Sequence, residues 1–197
     1  MDEGFAAAAL GFRFVLGFVF LSAAIPKLLA PADFALAVRN YRLLRPRLTE
    51  PVARWLPQLE FALALALLLG LATRPAAGLA AAALLIFAGA IAINLLRGRE
   101  IDCGCYSAAS PRTIGWWLVV RDLGLALSAA LVLVAPPQTL ALSSLWSDEA
   151  AHLGARDGVA VALLAASIVL AELLIGEALR VRRAARSLAL HGAETSP

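Results

Sequence analysis

Long uninterrupted apolar segments set the strongest limit on how this chain of 197 residues can fold. A bilayer core about 30 Å thick is crossed by a helix of about 20 apolar residues. The chain contains five segments of roughly this length, and none shows the polar-apolar alternation of barrel strands. We therefore expect an all-α integral membrane protein, a helical bundle. The predicted spans are residues 5–28, 56–72, 76–96, 114–135 and 159–179.

Composition supports one membrane domain and leaves no room for a soluble one. Hydrophobic residues make up 61% of the chain and charged residues 16%, whereas charged residues approach about 25% in soluble domains. We expect a single domain over 1–197 in the cell's inner membrane, crossing it several times. Its parts are a four-helix core at 5–135, a loop at 136–158, a fifth span at 159–179 and a basic tail at 180–197.

The stretch 33–47, between the first two spans, is too polar to cross a membrane. An amphipathic helix lying in the membrane interface is its simplest interpretation. With five spans, this helix shares one side with the loop after the third span and with the tail, and that side holds thirteen basic residues against two opposite. The positive-inside rule places the basic side in the cytoplasm. Because no aromatic platform accompanies these residues, we expect lipid as the partner and no nucleic acid.

Cys103 and Cys105, the chain's two cysteines, lie in the polar loop between the third and fourth spans. Residues at i and i+2 can bring their Cα atoms within the range of about 4.4–6.8 Å that a disulfide tolerates, and Gly104 adds backbone freedom. Such a bond would be strained and exposed, and therefore oxidising and ready for thiol exchange. The sequence predicts a catalytic pair, in which one cysteine attacks and the other resolves the mixed disulfide.

Charged neighbours of the cysteines suit the same chemistry. Arg97 and Arg99 precede the pair in the chain, and nearby cations favour thiolate over thiol. Asp102 has two interpretations of equal weight: it relays a proton to the leaving thiol, or it forms an ion pair with the basic residues.

Polar residues within the spans form a second group. Each charge near the bilayer centre costs at least about 2.5 kcal/mol, so each needs a partner or a role. Neighbouring spans run antiparallel, so these residues lie at similar depth below the cysteine loop. They either contribute to the redox site or form ion pairs that hold the bundle, with Lys27 paired to Glu60 and Arg121 to Asp122 or Glu60. The group comprises Lys27, Glu60, Asn94, Arg121 and Asp122.

Two candidate cofactors follow from the sequence, a metal ion and a quinone. Thiolates bind soft metal ions, but two ligands are too few for a closed tetrahedral site, so we predict no metal site. No cofactor is assigned. A quinone is the candidate, because its ring would stack on Trp116 and Trp117, which otherwise form part of an aromatic belt at the membrane surface.

Several short motifs together carry a family resemblance. They are residues 24–29 (AIPKLL), Phe34, 41–44 (YRLL), Glu60, 97–99 (RGR), 101–105 (IDCGC) and 117–122 (WLVVRD). Over residues 5–135 the chain resembles the methylamine-utilisation MauE family, which is related to the DoxX-like membrane proteins. Where that family typically has Phe-Gly after the second cysteine, this chain has Tyr106 and Ser107. In span four the usual Arg-Asn is Arg121-Asp122.

The resemblance implies a DoxX-like four-helix core and a function. The function is a membrane thiol-disulfide protein that assists disulfide formation or maturation of an exported client, in MauE itself the disulfide-rich small subunit of methylamine dehydrogenase. A thioredoxin-like protein or the client's own thiols would be its partner, and the activity would be that of a thiol-disulfide oxidoreductase. An exported client needs the cysteines outside, whereas the charge distribution puts them in the cytoplasm, so the sequence leaves the side open.

Two other classes of function stay open on the sequence. The chain could be a non-catalytic assembly scaffold whose interfacial helix docks a partner. It could also be a carrier of metal ions or small molecules that uses the Cys103–Cys105 pair together with the polar residues of the spans.

Overall fold

The computed structural model describes residues 3–99, 101 and 113–135, and the regular elements of this part are five helices. Four of them are long and apolar enough to cross a membrane. The all-α prediction is confirmed for this part of the chain. The predicted loop 136–158, the fifth span and the basic tail lie outside the described residues. The helices are α1 (Glu3–Leu29), α2 (Pro31–Tyr41), α3 (Pro46–Leu69), α4 (Thr73–Leu96) and α5 (Trp116–Val134).

The helix α2 is shorter than the predicted interfacial helix at 33–47. It begins at Pro31, which suits a first turn because the missing N–H of proline has no intrahelical acceptor there. It ends at Tyr41, because Arg42 takes a left-handed conformation with φ 48°. Arg47 therefore belongs to the next helix, which corrects the predicted boundary.

The helix α3 starts ten residues before the predicted span at 56–72 and ends at Leu69. Pro46 opens it in the first turn, and Gly70 with φ 68° ends it. A stripe of buried residues at helical spacing runs along its first half: Thr49, Ala53 and Pro57, followed by Glu60. The predicted start at 56 was wrong, because exposed charged residues on the opposite face of this half lower its average hydropathy.

Close packing of small residues joins the spans. The most extensive contacts are between α4 and α5 and between α1 and α3. Ala64, Ala77, Ala80 and Ala129 are completely buried between the helices. Small side chains allow close backbone approach, which is the main source of helix association where lipid is as apolar as the protein.

Large apolar side chains cover the outside of the bundle. Leu96, Ile86, Trp55 and Leu127 expose 77%, 68%, 66% and 65% of their surface. Soluble monomers rarely expose apolar surface in this density. Together with the four long apolar helices, this surface identifies a multi-pass membrane protein whose exterior faces lipid.

The residues that flank the cysteine loop, Ile101 and Ile114, lie beside the end of α2. Tyr41, at the end of α2, packs in one apolar cluster with Ile101 and Ile114, which flank the loop between α4 and α5. The cluster is centred on Ala88, Ile91, Leu118 and Val119. The end of α2 and the residues that flank the cysteine loop therefore share one end of the bundle, and the turn between α3 and α4 lies at the other.

Candidate functional site

Lys27 and Glu60 form a buried ion pair between α1 and α3. The Lys27 Nζ donates hydrogen bonds to Glu60 Oε1 at 2.5 Å and to Glu60 Oε2 at 2.6 Å. The two side chains are 5% and 1% exposed. The predicted contact is confirmed. Because α3 begins at Pro46, however, Glu60 lies about four turns into its helix and not one turn, as the predicted span had it.

Aromatic rings from two further helices also lie near Lys27. Its Nζ lies 5.1 Å from the ring centroid of Phe34 in α2 and 5.7 Å from that of Phe87 in α4. Its charge attracts Asp122 of α5. Cations over aromatic faces are stabilised electrostatically, most strongly where water is absent. Side chains of α1, α2, α3 and α4 thus meet at Lys27.

Arg121 and Asp122 form the second ion pair in this region. Arg121 Nε and Nη2 both donate to Asp122 Oδ1, at 3.0 Å and 2.8 Å. Asp122 is 2% exposed. The predicted pairing of these neighbours in the chain is confirmed.

We call Lys27, Glu60, Arg121 and Asp122 the charge cluster. It contains two positive and two negative side chains, so it is formally neutral. Neutrality is what a low-dielectric interior requires, because an unbalanced buried charge is strongly destabilising. The Lys27–Glu60 pair joins α1 to α3, whereas the Arg121–Asp122 pair lies within α5. A part for these residues in redox chemistry stays a prediction.

Asn94 and Arg99 belong to a separate group of contacts at the end of α4. Asn94 is completely buried, and its Nδ2 donates to the Ala90 carbonyl at 3.0 Å. Arg99 Nη1 donates to Asn94 Oδ1 at 3.5 Å and to the Tyr41 carbonyl at 3.4 Å. From the sequence, Arg99 was expected to place a positive charge near the thiols. The sequence did not indicate that the Arg99 side chain binds α2. The glycine at the end of α4 was the available signal that the chain turns back there.

A backbone hydrogen bond joins the residues on either side of the cysteine loop, Ile101 and Ile114. The Ile114 N–H donates to the Ile101 carbonyl at 2.9 Å, just before α5 begins. Cys103, Cys105 and Asp102 lie outside the described residues. Arg97 is exposed, and its predicted effect on the thiols stays a prediction. Trp116 and Trp117 expose 56% and 71% of their surface in the first turn of α5.

The fold and these contacts define a multi-pass helical membrane protein with a neutral charge cluster in its core. At one end of the bundle, the residues that flank the two-cysteine segment, Ile101 and Ile114, pack against the helices and are joined by a backbone hydrogen bond. Comparison of the sequence with family models gives a match over residues 5–135 to the family described as methylamine utilisation protein MauE. The chain belongs to this family. The family resemblance predicted from its motifs is therefore confirmed, over the same residues.

Curated relatives agree with the family model, and each is described as methylamine utilization protein MauE. The protein from Paracoccus denitrificans is 40% identical over 132 residues, covering 66% of this chain and 71% of the relative. That from Methylorubrum extorquens is 46% identical over 120 residues, covering 59% and 64%. That from Methylophilus methylotrophus is 42% identical over 127 residues, covering 64% and 67%. The comparison with solved structures gives no match.

Proposed function

We propose that this chain is a thiol-disulfide redox protein of the cell's inner membrane that assists disulfide formation or maturation of an exported client. The observation that carries the proposal is the hydrogen bond of 2.9 Å between the Ile114 N–H and the Ile101 carbonyl. It fixes the chain two residues before Cys103 against the start of α5. A C-x-C pair that follows an anchored residue has less conformational freedom to lose when a disulfide closes.

The exchange reaction needs two steps. A client thiolate attacks one sulfur of the Cys103–Cys105 disulfide, a mixed disulfide forms, and the other cysteine leaves as a thiolate. A second client thiolate then attacks the client's sulfur in the mixed disulfide, which closes the client's disulfide and releases the second cysteine. The two protons of the client's thiols pass to the cysteines, and we assign Asp102 to that transfer. Arg97 favours the departing thiolate.

Reoxidation closes the cycle. The reduced pair passes its two electrons and two protons to an acceptor, for which we propose the disulfide of a thioredoxin-like protein. A quinone stacked on Trp116 and Trp117 is the alternative acceptor. Since the relatives are described as methylamine utilization proteins, we propose that the client serves that process.

Single cysteine variants test the exchange directly. Cys103→Ser and Cys105→Ser each leave one thiol and no disulfide. The remaining thiolate can attack the disulfide of the thioredoxin-like partner or of the oxidised client, and the partner's other cysteine leaves as a thiolate. Since the chain has no second thiol to resolve the mixed disulfide, that species should accumulate in the variant that keeps the attacking cysteine. Non-reducing electrophoresis and mass spectrometry of the linked peptides would identify it, and reductant should release it. The Cys103→Ser/Cys105→Ser double variant is the control and should trap nothing.

Two results would contradict the proposal. One is that neither single variant captures a thiol protein in membranes. The other is that the double variant supports full disulfide formation in the client, which would favour the scaffold function instead.

A further inference from the structure

Five exposed arginines lie where α2 ends and α3 begins. The same stretch, residues 31–55, has two acidic side chains, those of Asp33 and Glu50, so its net charge is +3. A positive field of this density attracts anions from the surroundings. We call the five residues the arginine surface; they are Arg39, Arg42, Arg45, Arg47 and Arg54.

The fold itself uses one of these five charges. Arg39 Nη2 lies 2.5 Å from Glu50 Oε1, which joins α2 to α3. The other four arginines form no ion pair with any residue that the structure describes. Exposed charges of this kind contribute little to folding, and their guanidinium groups are accessible to an external anion.

The backbone at Arg42 shows that the turn does not need an arginine side chain. Arg42 has φ 48°, a left-handed conformation that is uncommon for residues other than glycine. Its N–H donates to the Arg39 carbonyl at 3.1 Å where α2 ends. Glycine is the usual residue at such a position, because it adopts this conformation without strain. Arginine is therefore unfavourable for the turn and favourable only for the charge that it adds to the arginine surface.

The length of α3 places its start in the headgroup layer. A helix of 24 residues is about 36 Å long, which exceeds the hydrocarbon core of about 30 Å but not the whole bilayer of about 40–45 Å. The half of α3 that ends at Leu69 is the apolar one, so the excess length lies at the arginine surface. Leu44 and Leu48, beside Arg45 and Arg47 in the chain, are 39% and 50% exposed. Basic side chains interleaved with exposed leucines are typical of a surface at the boundary between headgroups and acyl chains.

We propose that the arginine surface binds the headgroups of anionic phospholipids. Arginine donates paired hydrogen bonds to phosphate oxygens, and the leucines between the arginines reach the acyl boundary. A zwitterionic headgroup carries the same phosphate together with a cation that the arginines repel, so the surface selects by net charge. An acidic soluble protein would match the charge but would leave the leucines without an apolar environment. This binding does not depend on the thiol-disulfide function proposed above.

The test is native mass spectrometry of the full chain in a neutral detergent at fixed ionic strength. The chain is titrated with phosphatidylglycerol or with phosphatidylcholine, and the ratio of the two affinities gives the preference for the anionic lipid. An arginine near an anionic headgroup contributes about a factor of five to the affinity. We expect the wild-type chain to prefer phosphatidylglycerol at least about 25-fold, and Arg45→Gln and Arg47→Gln each to lower this preference about fivefold.

Three further variants separate lipid binding from stability and from net charge. Arg42→Gly should lower the preference about fivefold without lowering the thermal midpoint in lipid-free detergent, because glycine relieves the strained backbone. Glu50→Gln removes a carboxylate and releases Arg39, so it should raise the preference. Arg74→Gln is the matched control, since Arg74 is also exposed but lies at the opposite end of the bundle; its preference should equal that of the wild type.

Four results would overturn the proposal. Equal affinities of the wild-type chain for the two lipids would leave the charge to a partner other than lipid. A wild-type preference in Arg42→Gly, which is expected to fold, would show that the turn takes no part. An equal loss in Arg74→Gln would mean that net charge alone matters. Displacement of phosphatidylglycerol by inorganic phosphate, but not by chloride at the same ionic strength, would identify a site for free phosphate instead.

Discussion

A lysine with 5% exposure inside a membrane bundle needs a counter-charge, and Glu60 provides it. The pairing was predictable, because two charges near the same end of antiparallel spans have few other ways to be neutralised. The rings of Phe34 and Phe87 around Lys27 were not predictable. Which apolar side chains face a given atom depends on the rotation of each helix about its axis, and these nearly uniform apolar runs do not specify that rotation.

Removal of one member of the buried pair should be costly. Glu60→Gln leaves the Lys27 charge without its main partner, and a fully buried case costs about 3–5 kcal/mol. We expect less folded protein and a lower thermal midpoint in detergent-extracted samples. The Lys27→Gln/Glu60→Gln double variant should recover part of the loss, because no unbalanced charge remains.

The exposed pair between Arg39 and Glu50 is the matched control for this experiment. Its two atoms are also 2.5 Å apart, but the side chains are 58% and 69% exposed. Exposed pairs contribute little, so Glu50→Gln should change stability by less than about 1 kcal/mol. A double variant no better than Glu60→Gln, or an equal loss in Glu50→Gln, would show that the buried pair does not hold this end of the bundle.

At the scale of the helices, the sequence predicted which segments are helical better than where they begin. The start of α3 was missed, although Thr49, Ala53, Pro57 and Glu60 recur at helical spacing and mark one buried face. Hydropathy averaged over a window hides such a stripe, because exposed charged residues lie between its members. The end of α4, by contrast, was predicted at the right residue, because a glycine after an apolar run commonly ends a helix.

The contact between α1 and α3 depends on a glycine. A Cβ at Gly17 would lie 2.6 Å from Leu68 Cγ and 3.3 Å from the Leu68 backbone nitrogen. Gly17→Ala should therefore push the helices apart, at a cost of about 1–3 kcal/mol, and lower the thermal midpoint. Gly89→Ala in α4 is the control, because a Cβ there meets nothing within 4 Å; alanine's better helix propensity should keep the midpoint from falling. Equal midpoints for Gly17→Ala and wild type would contradict the close approach.

At the scale of the whole molecule, an arginine side chain binds the carbonyl at the end of a helix on each side of the bundle. Arg99 binds the last carbonyl of α2 at one end, and at the other Arg74 Nη2 donates to the Ala135 carbonyl, just after α5, at 3.4 Å. Apolar run lengths were enough to predict the number of spans in this part of the chain and their antiparallel order. The contacts across helix ends were not predictable, because they join residues 58 and 61 positions apart in the chain.

The membrane crossing of α4 gives the last prediction. Arg45, before α3, and Arg97, after α4, lie at the end of the bundle that carries the cysteine loop, whereas Leu71, which is 57% exposed, lies in the opposite turn. The test uses a Cys103→Ser/Cys105→Ser background and a membrane-impermeant thiol reagent applied to intact cells. We expect the reagent either to label both Arg45→Cys and Arg97→Cys and not Leu71→Cys, or to label Leu71→Cys and neither of the other two. The basic residues predict that Leu71→Cys is the outward site, whereas an exported client requires the cysteine end to be outward, so the same experiment decides between them. Labelling of Arg97→Cys and Leu71→Cys from one side would mean that α4, with its 24 residues, does not cross the bilayer.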